Sequence, residues 1–251
     1  FAQQNYMVQD VCFYLEKLGV KIEGIGSLKL TVHGKKNIDV NLEHYNSEDP
    51  IESMMFISAA IMTQSTLTIT RCPIDFVKLE MLKLKKMNVQ FTMSDVYKSL
   101  NKKTDLVDIT MLPSLKIVAL EDKLHAQPYP GINTDNLPFF VPVALRAKGT
   151  TLIHDWMWEN RAIYFTHLNR LGASVRLADP HRVFVEGGHK LSPGEIICPP
   201  ALRPSTMILV AMLGIEGRSI LRNVYSIKRG YENIVERLNS IGADIEIVKE
   251  I

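Results

Sequence analysis

The chain has 251 residues, of which 46% are hydrophobic and 22% are charged, and its formal net charge is +2. This is the composition of an ordinary globular protein, and the near-neutral charge argues against both a nucleic-acid partner and an anionic membrane surface. No apolar run reaches the roughly 20 residues that a membrane-spanning helix needs, and three scattered cysteines favour the reducing cytoplasm over a disulfide framework.

Four segments of the chain share one pattern, an amphipathic helix followed by a stop and a short strand. The stop residues are Gly19, Asn88, Gly172 and Gly242, the residue types best able to adopt the left-handed conformation that ends a helix. They lie roughly 70 to 85 residues apart, which is longer than the usual solenoid repeat. The pattern therefore predicts an α/β fold built by internal duplication.

Around these stops the sequence predicts alternating helices and strands. The predicted helices of the three later units cover residues 51–63, 75–86, 134–148, 159–171, 201–213 and 228–240. The predicted strands cover residues 65–70, 150–154, 173–178, 182–187, 195–198, 218–222 and 243–249. Short connections of this kind favour a mixed sheet with helices packed on it, so three complete units would form one α/β domain with pseudo-threefold symmetry.

The beginning of the chain holds only the end of a further unit. A partial unit cannot bury its own apolar face, and the polar stretch 34–49 separates it from the rest. We therefore predict that residues 1–33 are the tail of a unit belonging to another domain, and that residues 34–251 form one domain of three units. Since Phe1 resembles neither an initiator nor a signal peptide, we expect the chain to begin inside a longer protein.

Arginines recur where predicted strands end and predicted helices begin. Arg71, Arg161, Arg203 and Arg229 lie at such junctions, and Asp135 opens another helix. Ligands of open α/β sheets gather at the carboxyl ends of the strands, so these side chains are candidates for one site. A cation at a helix N-terminus costs a few tenths to about 1 kcal/mol, and its repetition indicates function. Guanidinium groups beside helix N-termini favour phosphate and carboxylate ligands.

Several candidates also have a simpler structural interpretation. Arg71 is most simply an ion-pair partner or a solvated residue, and Asp135 can act as a helix cap worth about 1 kcal/mol. Trp158 either packs beneath a loop or stacks on a ring of a ligand. The seven histidines and three cysteines show no metal-ligand spacing, and the sequence has no glycine-rich nucleotide-binding loop. We therefore predict no metal and no cofactor.

Four short motifs occur in the order in which a known family carries them. They are Tyr129-Pro130-Gly131-Ile132-Asn133-Thr134-Asp135, Trp158-Glu159-Asn160-Arg161, Leu202-Arg203 and Arg229-Gly230-Tyr231-Glu232. Through them the chain resembles the later half of the enolpyruvyl transferases that act on UDP-N-acetylglucosamine, over most of its 251 residues. The resemblance implies the enolpyruvyl transferase fold, with inside-out α/β barrel domains of three βαβαββ-type repeats.

The resemblance also implies a reaction and roles for single residues. The enolpyruvyl group moves from phosphoenolpyruvate to the 3-hydroxyl of UDP-N-acetylglucosamine and phosphate is released, which is the first committed step of peptidoglycan synthesis. Asp135 matches the aspartate that binds this hydroxyl and removes its proton, and Arg229 matches an arginine that binds phosphoenolpyruvate. Further matches in the same cleft are Trp158, Glu159, Arg161 and Arg203.

The chain departs from the family pattern at three positions. Ala201 stands where an aspartate is usual, and Ser226 and Lys228 replace a histidine and an aspartate. The reactive cysteine of the family's first domain has no match, so we expect a missing N-terminal domain of the same enzyme as a partner and an inactive isolated chain. Two alternatives stay open: a shikimate-pathway enolpyruvyl transferase and a non-catalytic nucleotide-sugar-binding paralogue.

Overall fold

The computed structural model describes residues 4–248, and it begins with a small segment that has its own apolar cluster. Helix α1 (Tyr6–Lys17) packs on an antiparallel pair of strands, β1 (Lys21–Glu23) and β2 (Thr31–His33). Cys12, Val20 and Ile22 form the cluster, apart from the main core. The separate cluster agrees with assigning residues 1–33 to another domain, an assignment that stays a prediction. The described residues 34–49 contain neither helix nor strand.

The first complete unit runs from residue 50 to residue 111 and places three strands around a central one. Its elements are α2 (Pro50–Thr63), β3 (Leu67–Pro73), a 3-10 helix (Ile74–Phe76), α3 (Lys78–Lys86), β4 (Phe91–Met93), β5 (Tyr97–Lys98) and β6 (Asp105–Met111). Strand β6 pairs antiparallel with β3, β4 and β5.

The second unit runs from residue 124 to residue 186 and contains a four-stranded sheet. Its elements are β7 (Leu124–His125), a 3-10 helix (Leu137–Phe139), α4 (Phe140–Arg146), β8 (Thr150–His154), a 3-10 helix (Arg161–Leu171), β9 (Ser174–Asp179) and β10 (Arg182–Glu186). The strand order is β7-β8-β10-β9. Strand β7 is parallel to β8, whereas β10 is antiparallel to both of its neighbours.

The third unit repeats the parallel βαβ arrangement with a shorter sheet. Its elements are β11 (Glu195–Ile197), α5 (Leu202–Leu213), β12 (Ile220–Arg222), α6 (Tyr225–Lys228) and α7 (Ile234–Ser240). Strands β11 and β12 pair in parallel, with Glu195 opposite Ile220 and Ile197 opposite Arg222, and α5 connects them.

The centre of the molecule consists of helices α2, α4 and α5, which contact one another. Each of them is apolar on nearly every face, as expected for a helix enclosed by protein, and every residue from Phe140 to Leu145 is buried. The sheets lie outside these helices, and strands such as β10 alternate buried and exposed residues. The predicted α/β fold class is confirmed, whereas the assignment of residues 34–251 to one domain of three units stays a prediction.

The four predicted helix stops also have the expected backbone conformation. Gly19, Asn88, Gly172 and Gly242 all have a positive φ, at 81°, 65°, 82° and 102°. These are left-handed conformations, which glycine adopts without strain and asparagine adopts more easily than most residues. The repeated sequence phrase therefore corresponds to a repeated backbone turn.

The helix predicted over residues 228–240 is wrong for residues 229–233, which are not helical. Helix α6 ends at Lys228, and α7 begins only at Ile234, after Asn233 in a left-handed conformation with φ 47°. At this break the backbone lies close to the start of α5. A Cβ on Gly230 would be 2.4 Å from Leu202 Cδ2. Contact with α5, which the local pattern does not contain, accounts for the interruption.

Three other elements differ from the sequence predictions. The strand predicted over residues 243–249 is wrong for 243–248, because no described strand pairs with this segment, and Lys249 lies outside the described residues. The helix predicted from residue 134 begins as a 3-10 turn at Leu137. The helix predicted from residue 159 is a 3-10 helix that begins at Arg161, after Asn160 with φ 55°.

We predict that Gly242→Ala destabilises the protein by about 1–2 kcal/mol, because an L-residue is strained at this φ. Gly34→Ala is the matched control: neither added Cβ meets an atom within 4 Å, and only Gly242 has the positive φ. Gly34→Ala should leave the free energy of unfolding unchanged or slightly higher. Urea unfolding of both variants checks this, and equal effects would contradict the role of the helix stop.

Candidate active site

Asp135 lies between two arginines that come from different units. Its Oδ1 is 3.4 Å from Nη1 of Arg161, and its Oδ2 is 3.3 Å from Nε of Arg203. The backbone N–H of Asp135 donates to Oδ1 of Asn133 at 2.9 Å. No side chain caps the following 3-10 helix, whose N-cap residue is Asn136. The interpretation of Asp135 as a helix cap is therefore wrong, and its carboxylate belongs to a charged cluster.

Arg161 is buried and is held by Asp155, the residue that directly follows β8. Nε and Nη2 of Arg161 donate to the two carboxylate oxygens of Asp155 at 2.5 and 2.7 Å, and Nη2 also donates to the backbone oxygen of Thr134 at 2.6 Å. Burial raises the pKa of the Asp155 carboxyl, and the bidentate guanidinium opposes that shift. The position of Arg161 is thus fixed before any ligand binds.

Arg203 lies in the first turn of α5 and is held by an aromatic partner. Its Nη1 donates to the Tyr231 hydroxyl at 2.9 Å, and its guanidinium carbon lies 5.6 Å from the centre of the same ring. Tyr231 is almost fully buried. Burial raises its pKa to about 12, so this phenol stays neutral at physiological pH.

The starts of the three central helices meet at this cluster. Asp49 caps α2 by accepting from the backbone N–H of Ile51 at 2.8 Å, and its charge acts on Arg203 at the start of α5. Asp135 lies just before the 3-10 turn that leads into α4. Tyr6 of α1 is part of the same surroundings: burial and the neighbouring Asp49 carboxylate raise the pKa of its phenol.

Trp158 and Glu159 lie at the edge of the cluster and behave differently. The Trp158 ring centre is 5.6 Å from the guanidinium carbon of Arg161, and about half of the side chain is exposed. The Glu159 carboxylate is exposed and lies 3.7 Å from Nε2 of His181. Trp158 therefore belongs to the cluster, whereas the structure does not bring Glu159 to the arginines.

Arg229 is exposed and follows the last residue of α6. Its backbone N–H donates to the backbone oxygen of Tyr225 at 3.1 Å, but among residues 4–248 its guanidinium has no hydrogen-bond or ion-pair partner. Since Gly230 touches Leu202, Arg229 lies near the start of α5. Because Arg229 does not begin a helix, the argument that its charge is unfavourable there is wrong. Arg71 forms an ion pair with Glu48, in agreement with its simpler interpretation.

The three substituted positions lie near the same helix start. Ala201 is the N-cap residue of α5 and supplies no side-chain hydrogen bond to it. Ser226 is buried, with its hydroxyl 3.4 Å from the backbone oxygen of Pro199. Lys228 is exposed. The substitutions therefore leave α5 uncapped and the site more positive than the family pattern implies.

The sequence analysis missed Asp155 and Thr134 as partners of Arg161, and Tyr231 as the partner of Arg203. Asp155 could have been found, because it occupies the position directly after a predicted strand at which the arginines were sought. Tyr231 had no such signal, since its bond to Arg203 joins parts of the chain far apart in sequence. Between residues 4 and 248, the structure contains no group of three histidine, cysteine, aspartate or glutamate residues that could hold a metal ion.

Comparisons with known proteins agree on one family. The family model described as EPSP synthase (3-phosphoshikimate 1-carboxyvinyltransferase) matches residues 2–238. A UDP-N-acetylglucosamine 1-carboxyvinyltransferase of Treponema denticola is 34% identical over 96% of this chain and 55% of its own length. One of Bradyrhizobium diazoefficiens is 30% identical over 97% of this chain and 55% of its own length. The chain thus spans about half the length of the curated relatives it matches.

Two solved structures have the same fold. The enolpyruvyl transferase NikO from Streptomyces tendae matches with a TM-score of 0.79 and 26% identity, over 94% of this chain and 53% of that chain. An EPSP synthase from Acinetobacter baumannii matches with a TM-score of 0.71 and 18% identity, over 94% of this chain and 55% of that chain. The fold predicted from the sequence motifs is confirmed. No helix within residues 4–248 is long and apolar enough to span a membrane.

We predict that Asp155→Ala lowers the free energy of unfolding by about 3–5 kcal/mol, because it removes the bidentate partner of the buried Arg161 and leaves that charge only the longer contact with Asp135. Glu246→Ala is the control, since it breaks the exposed pair with Arg218 and should cost less than about 1 kcal/mol. Denaturant unfolding of both variants measures the difference. Similar losses in the two variants would show that Arg161 is not fixed by Asp155.

Proposed function

Because the chain belongs to the EPSP synthase (3-phosphoshikimate 1-carboxyvinyltransferase) family, we propose that it forms the later part of an enolpyruvyl transferase. The proposed acceptor is the 3-hydroxyl of UDP-N-acetylglucosamine, and the donor is phosphoenolpyruvate. The observation that carries the proposal is the position of the Asp135 carboxylate, which lies between the guanidinium groups of Arg161 and Arg203. The curated relatives that bear this activity in their names cover about 95% of the chain.

In the proposed reaction Asp135 removes the proton of the sugar hydroxyl, and the hydroxyl oxygen bonds to C2 of phosphoenolpyruvate while C3 gains a proton. Phosphate then leaves C2, and C3 loses a proton to restore the double bond. The substrates carry a diphosphate, a phosphate and a carboxylate, all of which match guanidinium donors. Arg161 and Arg203 stabilise charge without moving, because their own partners already hold them.

We assign the binding of phosphoenolpyruvate to the exposed Arg229. Trp158 and Glu159 are proposed as further substrate-binding residues at the edge of the cluster. Arg229 supports this assignment because the described residues do not occupy its guanidinium. The substrate-binding role of Glu159 has the weakest support, since its carboxylate faces His181. We propose that an N-terminal domain of the same enzyme supplies the proton for C3 and further phosphate contacts. The isolated chain is accordingly expected to be inactive.

The proposed place of this reaction is peptidoglycan synthesis in the cytoplasm. The three cysteines, Cys12, Cys72 and Cys198, are free and buried, as suits a reducing compartment. A shikimate acceptor is the alternative, since the family model bears that enzyme's name. The motif Arg229-Gly230-Tyr231-Glu232 and the 30–34% identity to the UDP-N-acetylglucosamine enzymes favour the sugar nucleotide. Ala201, Ser226 and Lys228 keep a non-catalytic paralogue as the second alternative.

Phosphate release tests the proposal, and we predict that Asp135→Asn in the full-length enzyme lowers kcat by about 10²–10⁴-fold, as expected for loss of a general base. The melting temperature should change little, because asparagine has the same shape and Arg161 and Arg203 keep Asp155 and Tyr231 as partners. Phosphate is measured with UDP-N-acetylglucosamine and, separately, with shikimate 3-phosphate as acceptor. Retained turnover in a destabilised variant would assign Asp135 a purely structural role.

We predict that Arg229→Lys raises the KM for phosphoenolpyruvate roughly tenfold or more, because lysine keeps the charge but loses the planar fork that binds two oxygens. Steady-state kinetics of the full-length enzyme measure this change. Arg218→Lys is the control, since Arg218 is exposed and pairs with Glu246. An unchanged KM in Arg229→Lys would remove Arg229 from the donor site.

A further inference from the structure

Glu80 interrupts the apolar face of α3. The buried face of this helix and its two ends carries Val77, Met81, Leu84 and Met87 at helical spacing, and Glu80 occupies a position on the same face. Glu80 is only 1% exposed, and it forms no ion pair with any of the described residues. A carboxyl group in such a place is costly, so a compensating role is expected.

The partners of Glu80 lie in the second unit. Its Oε1 accepts a hydrogen bond from the backbone N–H of Asn133 at 3.1 Å and another from Nδ2 of Asn136 at 2.8 Å. Asn136 is fully buried. One carboxylate oxygen of the first unit therefore holds both ends of the turn formed by residues 133–136. Burial raises the pKa of Glu80, and these two hydrogen bonds oppose the shift.

This turn carries Asp135, and it is held from its other side as well. Asn133 Oδ1 accepts from the Asp135 N–H at 2.9 Å, and the Thr134 backbone oxygen accepts from Nη2 of Arg161 at 2.6 Å. The backbone on both sides of Asp135 is therefore fixed, by Glu80 at the ends of the turn and by Arg161 in its middle. The direction of the Asp135 side chain follows from these two attachments.

We propose that Glu80 is a positioning residue for Asp135, which it holds in place by anchoring the 133–136 turn through Asn133 and Asn136. This inference rests on the proposed function, in which Asp135 is the base. Glu80 itself is enclosed by the core and touches no substrate. Its task is to keep the Asp135 carboxylate at the distance from the two arginines that the structure shows.

Two substitutions of Glu80 separate positioning from chemistry. Glu80→Gln keeps an oxygen that can accept both hydrogen bonds, whereas Glu80→Leu leaves the Asn133 N–H and the Asn136 amide without an acceptor. Leu84→Ala is the matched control, because Leu84 is fully buried one helical turn further along the same face. It weakens the packing of α3 without removing a hydrogen bond to the turn.

The decisive experiment measures phosphate release and melting temperature in the full-length enzyme. Glu80→Leu should lower kcat by about tenfold or more with less than about a threefold change in either KM, since the base acts only in the transition state. Glu80→Gln should stay within about threefold of the unaltered enzyme, and so should Leu84→Ala despite its lower melting temperature. An inactive Glu80→Gln, or equal losses of kcat in Leu84→Ala and Glu80→Leu, would overturn the proposal.

Amide hydrogen exchange in the same full-length enzyme, without substrates, tests the turn independently of turnover. Glu80→Leu should speed the exchange of the Asn133 and Asp135 amides by about tenfold or more relative to Leu84→Ala, because the anchor of the turn is lost. If the unaltered enzyme releases no phosphate but this pattern appears, the proposed function fails and the anchoring role of Glu80 stands. Unchanged exchange and unchanged kcat in Glu80→Leu of an active enzyme would refute that role alone.

Discussion

The fold and its charged cluster depend on three central helices that expose almost no surface to water. Because α2, α4 and α5 are apolar nearly all round, they can be stable only when the sheets and outer helices enclose them. Their packing against one another brings their starting ends together, where Asp49, Asp135 and Arg203 lie. The charged cluster is therefore a consequence of how the core is closed, since polar groups must gather where the enclosed helices end.

Local backbone features were predictable from the sequence, whereas features that depend on distant contacts were not. The left-handed stops at Gly19, Asn88, Gly172 and Gly242 follow from residue type and spacing alone. The break between α6 and α7 depends on the contact of Gly230 with Leu202, which no periodicity encodes. Asp135, Arg161 and Arg203 were found because they lie at junctions between elements. The attachments to Tyr231 and Glu80 join separate parts of the chain, whereas Asp155 precedes Arg161 by only six residues and occupies a recognisable junction.

The arginines of the site fall into two kinds. Arg161 and Arg203 are largely buried. Arg161 donates to Asp155, Thr134 and Asp135, and Arg203 donates to Tyr231 and Asp135. Arg229 is exposed, and within the described residues nothing occupies it. Donors that are already oriented stabilise developing charge without a cost of reorganisation. A free guanidinium can instead follow a ligand as it enters, so the two kinds of arginine suit different moments of the proposed reaction.

The cluster draws one part from each unit: Glu80 from the first, Asp135 and Arg161 from the second, and Arg203 with Tyr231 from the third. Local opening of any unit would therefore dissolve the whole cluster, even if the other two units stayed folded. The integrity of the site therefore depends on cooperative folding of all three units. Under the proposed function, selection for catalysis is then also selection against partial unfolding, so the interfaces between the duplicated units are under the same constraint as the charged residues themselves.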